Sequence, residues 1–127
     1  MMSTNSSITL FGIPNCDTVK KARTWMEQQN VPFAFHNFKK DGLTREQVEL
    51  WLPEIDLTLL INRKGTTWRA LSEEQKSSAE DKDGAIELML TNPSVIKRPV
   101  LQINSDTRKH VSVGFNDQQY QTIFNEV

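Results

Sequence analysis

Apolar and polar positions alternate between two periods along this chain. Ile8 to Phe11 is a short β-prone run that ends at Gly12-Ile13-Pro14-Asn15. Beyond that loop, Val19, Ala22, Trp25 and Met26 recur at helical spacing. Asn15 is predicted to cap this helix and Asn30, before Val31-Pro32, to stop it. Cys16 then falls in the first helical turn. Phe33 to Phe38 alternates as a half-buried strand does, and Asp41-Gly42 supplies the closing turn.

From Thr44 to Asn92 the signals are helical. Thr44 with Gln47 and Ser72 with Gln75 have capping-box spacing. A helix over roughly 83–91 places Ala85, Ile86, Met89 and Leu90 toward a core and should end at Asn92-Pro93. Pro99 to Ile103 and Lys109 to Phe115 read as strands around the turn Asn104-Ser105-Asp106-Thr107, with Val111, Val113 and Phe115 facing one way. Asn116 with Gln119 repeats the capping-box spacing, and Tyr120, Ile123, Phe124 and Val127 give the last helix its apolar face. The order β-α-β, helical insertion, β-β-α predicts an α/β protein with a mixed sheet and a thioredoxin-like fold. One domain is expected over 8–127, with a loose lead at 1–7 and the insertion at about 44–92.

Charge narrows the partners. Fifteen basic against sixteen acidic side chains leave a formal charge of −1, so nothing global favours nucleic acid or an anionic membrane. Lys20-Lys21 and Lys39-Lys40 are too short to be a nucleic-acid footprint. No apolar run approaches the roughly 20 residues that span a bilayer. Met1 to Ser7 is polar and lacks the basic and apolar regions of a secretory signal, and a single cysteine cannot form an internal disulfide. These features point to a cytoplasmic protein. His36 and His110 share no ligand spacing with other residues, so no metal site is expected.

Cys16 carries the candidate chemistry. A thiol reacts as its thiolate, and a free cysteine with a pKa near 8.5 is only about 3% ionised at pH 7. Unpaired N–H groups and the positive dipole end of a helix N-terminus favour the anion. A buried, inert thiol is the competing reading. Cys16-Asp17-Thr18-Val19 is not C-x-x-C, so any mixed disulfide must be resolved by another molecule. Trp25, Trp51 and Trp68 read mainly as packing residues, with Trp68 also placed to edge a groove.

Three segments go further. Gly12 to Ala22, Asn62 to Trp68 and Ile96-Lys97-Arg98-Pro99 resemble the arsenate-reductase-like (ArsC) family, nearest its YffB-like branch, and the likeness runs from about Ile8 to Phe124. The resemblance implies a thioredoxin fold with a helical insertion, Cys16 as nucleophile and glutathione, or another small thiol, as co-substrate. In the arsenate reductases of the family three arginines hold the oxyanion. Arg63 and Arg98 match two of them, while the third falls where this chain has Gly114. A histidine four residues before the cysteine is replaced by Gly12. The resemblance therefore implies a glutathione-dependent monothiol reductase acting on an oxidised small molecule or protein thiol, with no bound cofactor. Arg63 and Arg98 would hold the thiolate or a carboxylate of glutathione. Pro99 matches the cis-proline of thioredoxin-like folds and, with Asn15, would line the substrate groove. The alternatives are a true arsenate reductase and a regulator of the Spx type, which contacts RNA polymerase without turnover.

Overall fold

A computed structural model describes residues 7–105 and 109–125 of this chain. The described residues form two compact units. The first takes the chain up to Phe38 and again from Arg98; the second spans Lys39–Lys97, bracketing the helical block expected at 44–92.

In the first unit the strands are β1 (Ser7–Gly12), β2 (Ala34–Asn37), β3 (Val100–Asn104) and β4 (Lys109–Val113), in the sheet order β2-β1-β3-β4. β1 runs parallel to β2 and antiparallel to β3, which is antiparallel to β4. This is the mixed sheet that the sequence order requires, because a helical crossover joins β1 to β2 and β4 follows β3 closely in the sequence. β1 starts at Ser7, the last residue of the expected lead, where it faces Asn104. The two helices of this unit are α1 (Asp17–Gln28) and the final helix, Asp117–Asn125.

The alternation in β1 turns Ile8 and Leu10 toward one face. There they join Leu101 and Ile103 of β3, Ala22 and Met26 of α1, and Tyr120 and Ile123 of the final helix in one buried cluster. Trp25, Phe115 and Phe124 surround Tyr120. Phe115 and Trp25 meet its ring edge-on at 4.7 and 5.6 Å, and Trp25 stacks on Phe124 at 5.6 Å. Such pairs add about 0.5–1.5 kcal/mol each beyond the area they bury. Trp25 is thus a packing residue, as its spacing suggested. Asn30 adopts φ 57° just past α1, a conformation asparagine tolerates, and Val31 N–H closes onto the Met26 carbonyl at 2.9 Å.

The short helices belong to the second unit, apart from Phe38 at the start of the first of them. α2 (Phe38–Asp41) replaces the end of the expected strand, and Gly42 at φ 76° turns the chain out of it. α3 (Arg45–Trp51), α4 (Leu57–Leu60), α5 (Thr66–Arg69), α6 (Glu73–Ser78) and α7 (Lys82–Thr91) follow, then a 3-10 turn at Pro93–Val95. Ser72 and Gln75 form the full capping box, with Gln75 N–H donating to Ser72 Oγ at 3.1 Å and Ser72 N–H to Gln75 Oε1 at 3.0 Å. Thr44 accepts from Gln47 N–H, which is half of the expected motif. α7 begins one residue before the expected 83 because Asp81 accepts from Gly84 N–H at 2.6 Å and so caps it. Arg45 joins α3 to α7 through Asp83 at 2.5 Å and Glu87 at 3.4 Å. These exposed pairs contribute roughly 0.2–1 kcal/mol each.

The strands expected at 99–103 and 109–115 are observed as β3 and β4. Part of the turn expected between them, Asp106 and Thr107, and Val127 at the end of the last helix lie outside the described residues. The final helix, α8 (Asp117–Asn125), is capped by Asn116, whose Oδ1 accepts from Gln119 N–H at 2.7 Å. The Gln119 side chain donates instead to the Val113 carbonyl at 3.2 Å, so the reciprocal half of that capping box is not made.

Candidate active site

Three connections of the first unit converge at one end of its sheet. Phe11 of β1 pairs with Val100 of β3, and Val100 with Val113 of β4. The loop after β1, the segment Arg98-Pro99 before β3 and Gly114 after β4 therefore leave the sheet on the same side. Gly114 N–H donates to the Pro99 carbonyl at 2.9 Å and ties two of them together. The Arg98-Pro99 peptide is cis, as expected for this position.

Cys16 stands where the first loop enters α1. Ile13 to Cys16 form a turn closed by Cys16 N–H on the Ile13 carbonyl at 3.2 Å, with Pro14 at its second position and Asn15 at its third. Asn15 belongs to this turn and is exposed, so it is not the helix cap. The cap is Cys16 itself, with extended angles φ −95° and ψ 127°, and its carbonyl accepts Lys20 N–H at 2.9 Å. This moves the cysteine one position outward from the expected first turn. Cys16 is half-buried, and its sulfur makes no capping hydrogen bond. The first-turn N–H groups are thus available to a sulfur anion or to a group docked beside it.

Arg98 is half-buried and Pro99 buried. Both belong to the segment that enters β3 at the end of the sheet where β1 leaves toward Asn15 and Cys16. Arg63 lies in the second unit, exposed, with its guanidinium carbon 5.2 Å from the centre of the Trp68 ring. Asn62 shapes that loop: its side-chain oxygen accepts Lys64 N–H at 3.3 Å and its carbonyl accepts Gly65 N–H at 3.2 Å. Asn62 N–H in turn donates to the Val95 carbonyl, and Lys97 N–H to the Leu60 carbonyl, both at 2.8 Å. Both bonds lie within the second unit and fasten the residues before the Arg63 loop to the segment of residues 95–97.

Two glycines complete the sheet end. A Cβ on Gly12 would stand 2.8 Å from Cγ2 of Val19, a residue with no solvent exposure. Gly114 has φ 77°, which an L side chain rarely adopts. The close approach of Gly12 to Val19 has no local signature in the sequence, because it depends on how β1 and α1 pack. Among the described residues no three His, Cys, Asp or Glu side chains are grouped to hold a metal, and no helix is long and apolar enough to cross a membrane.

Comparison with known proteins shows the family and the fold. The sequence model of the ArsC family matches residues 11–123. The solved structure of the YFFB protein is 43% identical, covers 91% of this chain and 97% of its own, and superposes with a TM-score of 0.81. An arsenate reductase (ArsC) related protein from Brucella melitensis is 44% identical, with coverage of 93% and 94% and a TM-score of 0.69. The global transcriptional regulator Spx of Streptococcus pneumoniae is 30% identical over 114 residues, 88% of this chain and 81% of the regulator. Neighbours under 25% identity, such as an ArsC family related protein from Bacteroides fragilis at TM-score 0.75, share the fold.

Proposed function

This chain belongs to the ArsC family, and on that premise we propose that it is a cytoplasmic thiol oxidoreductase whose single nucleophile is Cys16, served by glutathione or a similar small thiol. The observation that carries the reading is the placement of Cys16 as the cap of α1, at the sheet end that also bears the cis Arg98-Pro99 peptide. A sulfur anion there meets the positive end of a helix of twelve residues.

The reaction runs as two exchanges. The Cys16 thiolate attacks one sulfur of a disulfide substrate, forming a mixed disulfide as the substrate S–S bond breaks and the other sulfur leaves as thiolate. A glutathione thiolate then attacks the substrate sulfur of that mixed disulfide, restoring the Cys16 thiolate and leaving as the new disulfide. Each step exchanges one S–S bond for another, and no internal thiol takes part because Cys16 is the chain's single cysteine. Arg98 and Arg63 are assigned to the thiolate or to a glutathione carboxylate, and Asn15 and Pro99 to the walls of the substrate groove.

The test is exposure of the reduced protein to oxidised glutathione, followed by mass spectrometry. A single adduct at Cys16, released by excess glutathione and absent in Cys16→Ser, supports the proposal. Absence of any adduct, with slow alkylation of Cys16 by iodoacetamide, overturns it.

The 30% identity with Spx supports a second reading, a regulator that binds another protein without turnover. Val19 occupies the fourth position of a would-be C-x-x-C pair and is fully buried, so a dithiol switch has no second thiol. Adduct formation without catalytic release of product would favour this reading. Arsenate reduction is a third possibility, opposed by the glycines at positions 12 and 114.

A further inference from the structure

A groove of about 320 Å³ opens between the outer side of α1 and the chain entering α8. Its α1 wall carries Lys20, Lys21, Thr24 and Gln28, which helical spacing sets on one flank. Trp25 and Phe115 form its aromatic walls, and Asp117 stands at its edge. The volume lies at the lower end of the range, roughly 300–1,000 Å³, of small-molecule sites.

Its chemistry is one-sided in a useful way. Two lysines and one aspartate are among its lining residues, and among the described residues Lys20, Lys21 and Asp117 form no ion pair. Both aromatic walls are set before any ligand arrives, since Phe115 and Trp25 pack edge-on against Tyr120, which has no exposure. A ligand that inserts a flat ring need not order these side chains, so little conformational freedom is lost on binding. Thr24 and Gln28 offer hydrogen bonds to a polar substituent.

We propose that this groove binds a small aromatic carboxylate, its ring against Trp25 and Phe115 and its carboxylate between Lys20 and Lys21. The site is separate from thiol chemistry and does not depend on it, although its near end lies close to the sulfur-bearing residue. Lys20 N–H is bonded to the Cys16 carbonyl, one helical turn away. Its occupant is distinguished from a generic apolar ligand by charge, and from a generic anion by the ring.

The experiment is a nitrogen-15 NMR titration of the full chain with 1-naphthoate, with neutral 1-naphthalenemethanol, and with acetate. Saturable shifts with naphthoate, confined to the amides of residues 20–28 and 115–117 and with a Kd on the order of 1 mM or below, are expected. The alcohol should bind at least about fivefold more weakly, as should naphthoate to the Lys20→Gln/Lys21→Gln double variant, the loss expected of one to two exposed charge contacts. Acetate should give no saturable shift. Equal binding of acid and alcohol, an unchanged double variant, saturation by acetate alone, or shifts centred elsewhere would each overturn the proposal. Cys16→Ser should bind naphthoate as the parent does, so failure of the thiol mechanism and failure of this site are read separately.

Discussion

Gly12→Ala tests the close packing of β1 against α1 at the turn that follows Cys16. The added Cβ would lie 2.8 Å from Val19 Cγ2 and 3.3 Å from Cγ1. Comfortable carbon contacts are about 3.5–4.0 Å, so the shortfall is near 1 Å at the closer methyl. Val19 cannot turn aside, because a β-branched side chain in a helix has one strongly preferred rotamer and this one is fully buried. Overpacking of this kind costs about 1–3 kcal/mol, offset by roughly 0.5–1 kcal/mol because alanine has less backbone freedom to lose than glycine. The net expectation is a loss of about 1–2 kcal/mol. Val19→Ala alone removes two buried methyl groups and should cost about 2 kcal/mol. In the double variant the new methyl occupies part of the vacated space, so the combined loss should fall short of the sum by about 1 kcal/mol. Urea unfolding followed by tryptophan fluorescence reads all three variants from the chain's three tryptophans. A Gly12→Ala protein as stable as its parent, or strictly additive losses, would refute the steric argument.

Two further outcomes follow from buried or constrained groups. Gly114→Ala should lower stability by about 1–2 kcal/mol, since φ 77° is unfavourable with a Cβ present, and an unchanged thermal midpoint would count against it. Burial holds the phenol of Tyr120, the chain's single tyrosine, above its ordinary value near 10. The associated stability is whole below pH 10 and falls as pH rises past it, so phenolate absorbance at 295 nm should emerge only with unfolding; titration near pH 10 in the folded protein would contradict this.

The fold was readable because local and global signals agree across most of the chain. Val19, Ala22 and Met26 keep helical spacing and are all fully buried, and Ile8 and Leu10 keep strand spacing on one face. Where the reading slipped, a nearby group took over a role. Asn15 has the chemistry of a cap, but the turn begun at Ile13 and Pro14 uses it one residue early and passes the cap to Cys16. Gln119 has the chemistry of a capping box, but the Val113 carbonyl captures its amide. Such competitions turn on three-dimensional reach, which sequence spacing does not encode. The α1–α8 groove was unreadable for the same reason: Lys20, Lys21, Phe115 and Asp117 are brought together only when both helices pack around Tyr120.

The glycines at the sheet end bear on what Cys16 can act upon. Each is imposed locally and by a different cause, Gly12 by the Val19 methyls and Gly114 by a left-handed turn whose N–H holds the Pro99 carbonyl. A bulky or charged side chain at either position must therefore displace structure before it can serve chemistry. Restoring one would not restore the other, because Val19→Ala opens space at position 12 and leaves φ at 114 unchanged. Without side chains at these two positions, the groups of the first unit to which the proposed function gives anion recognition are the first-turn N–H groups of α1 and Arg98. That set matches a single carboxylate more closely than a tetrahedral oxyanion with several charged oxygens, since one guanidinium forms one forked pair. If the proposed thiol exchange holds, a carboxylate-bearing thiol fits this end of the sheet better than arsenate, and Gly12→His/Val19→Ala is expected to gain no arsenate turnover while position 114 remains glycine.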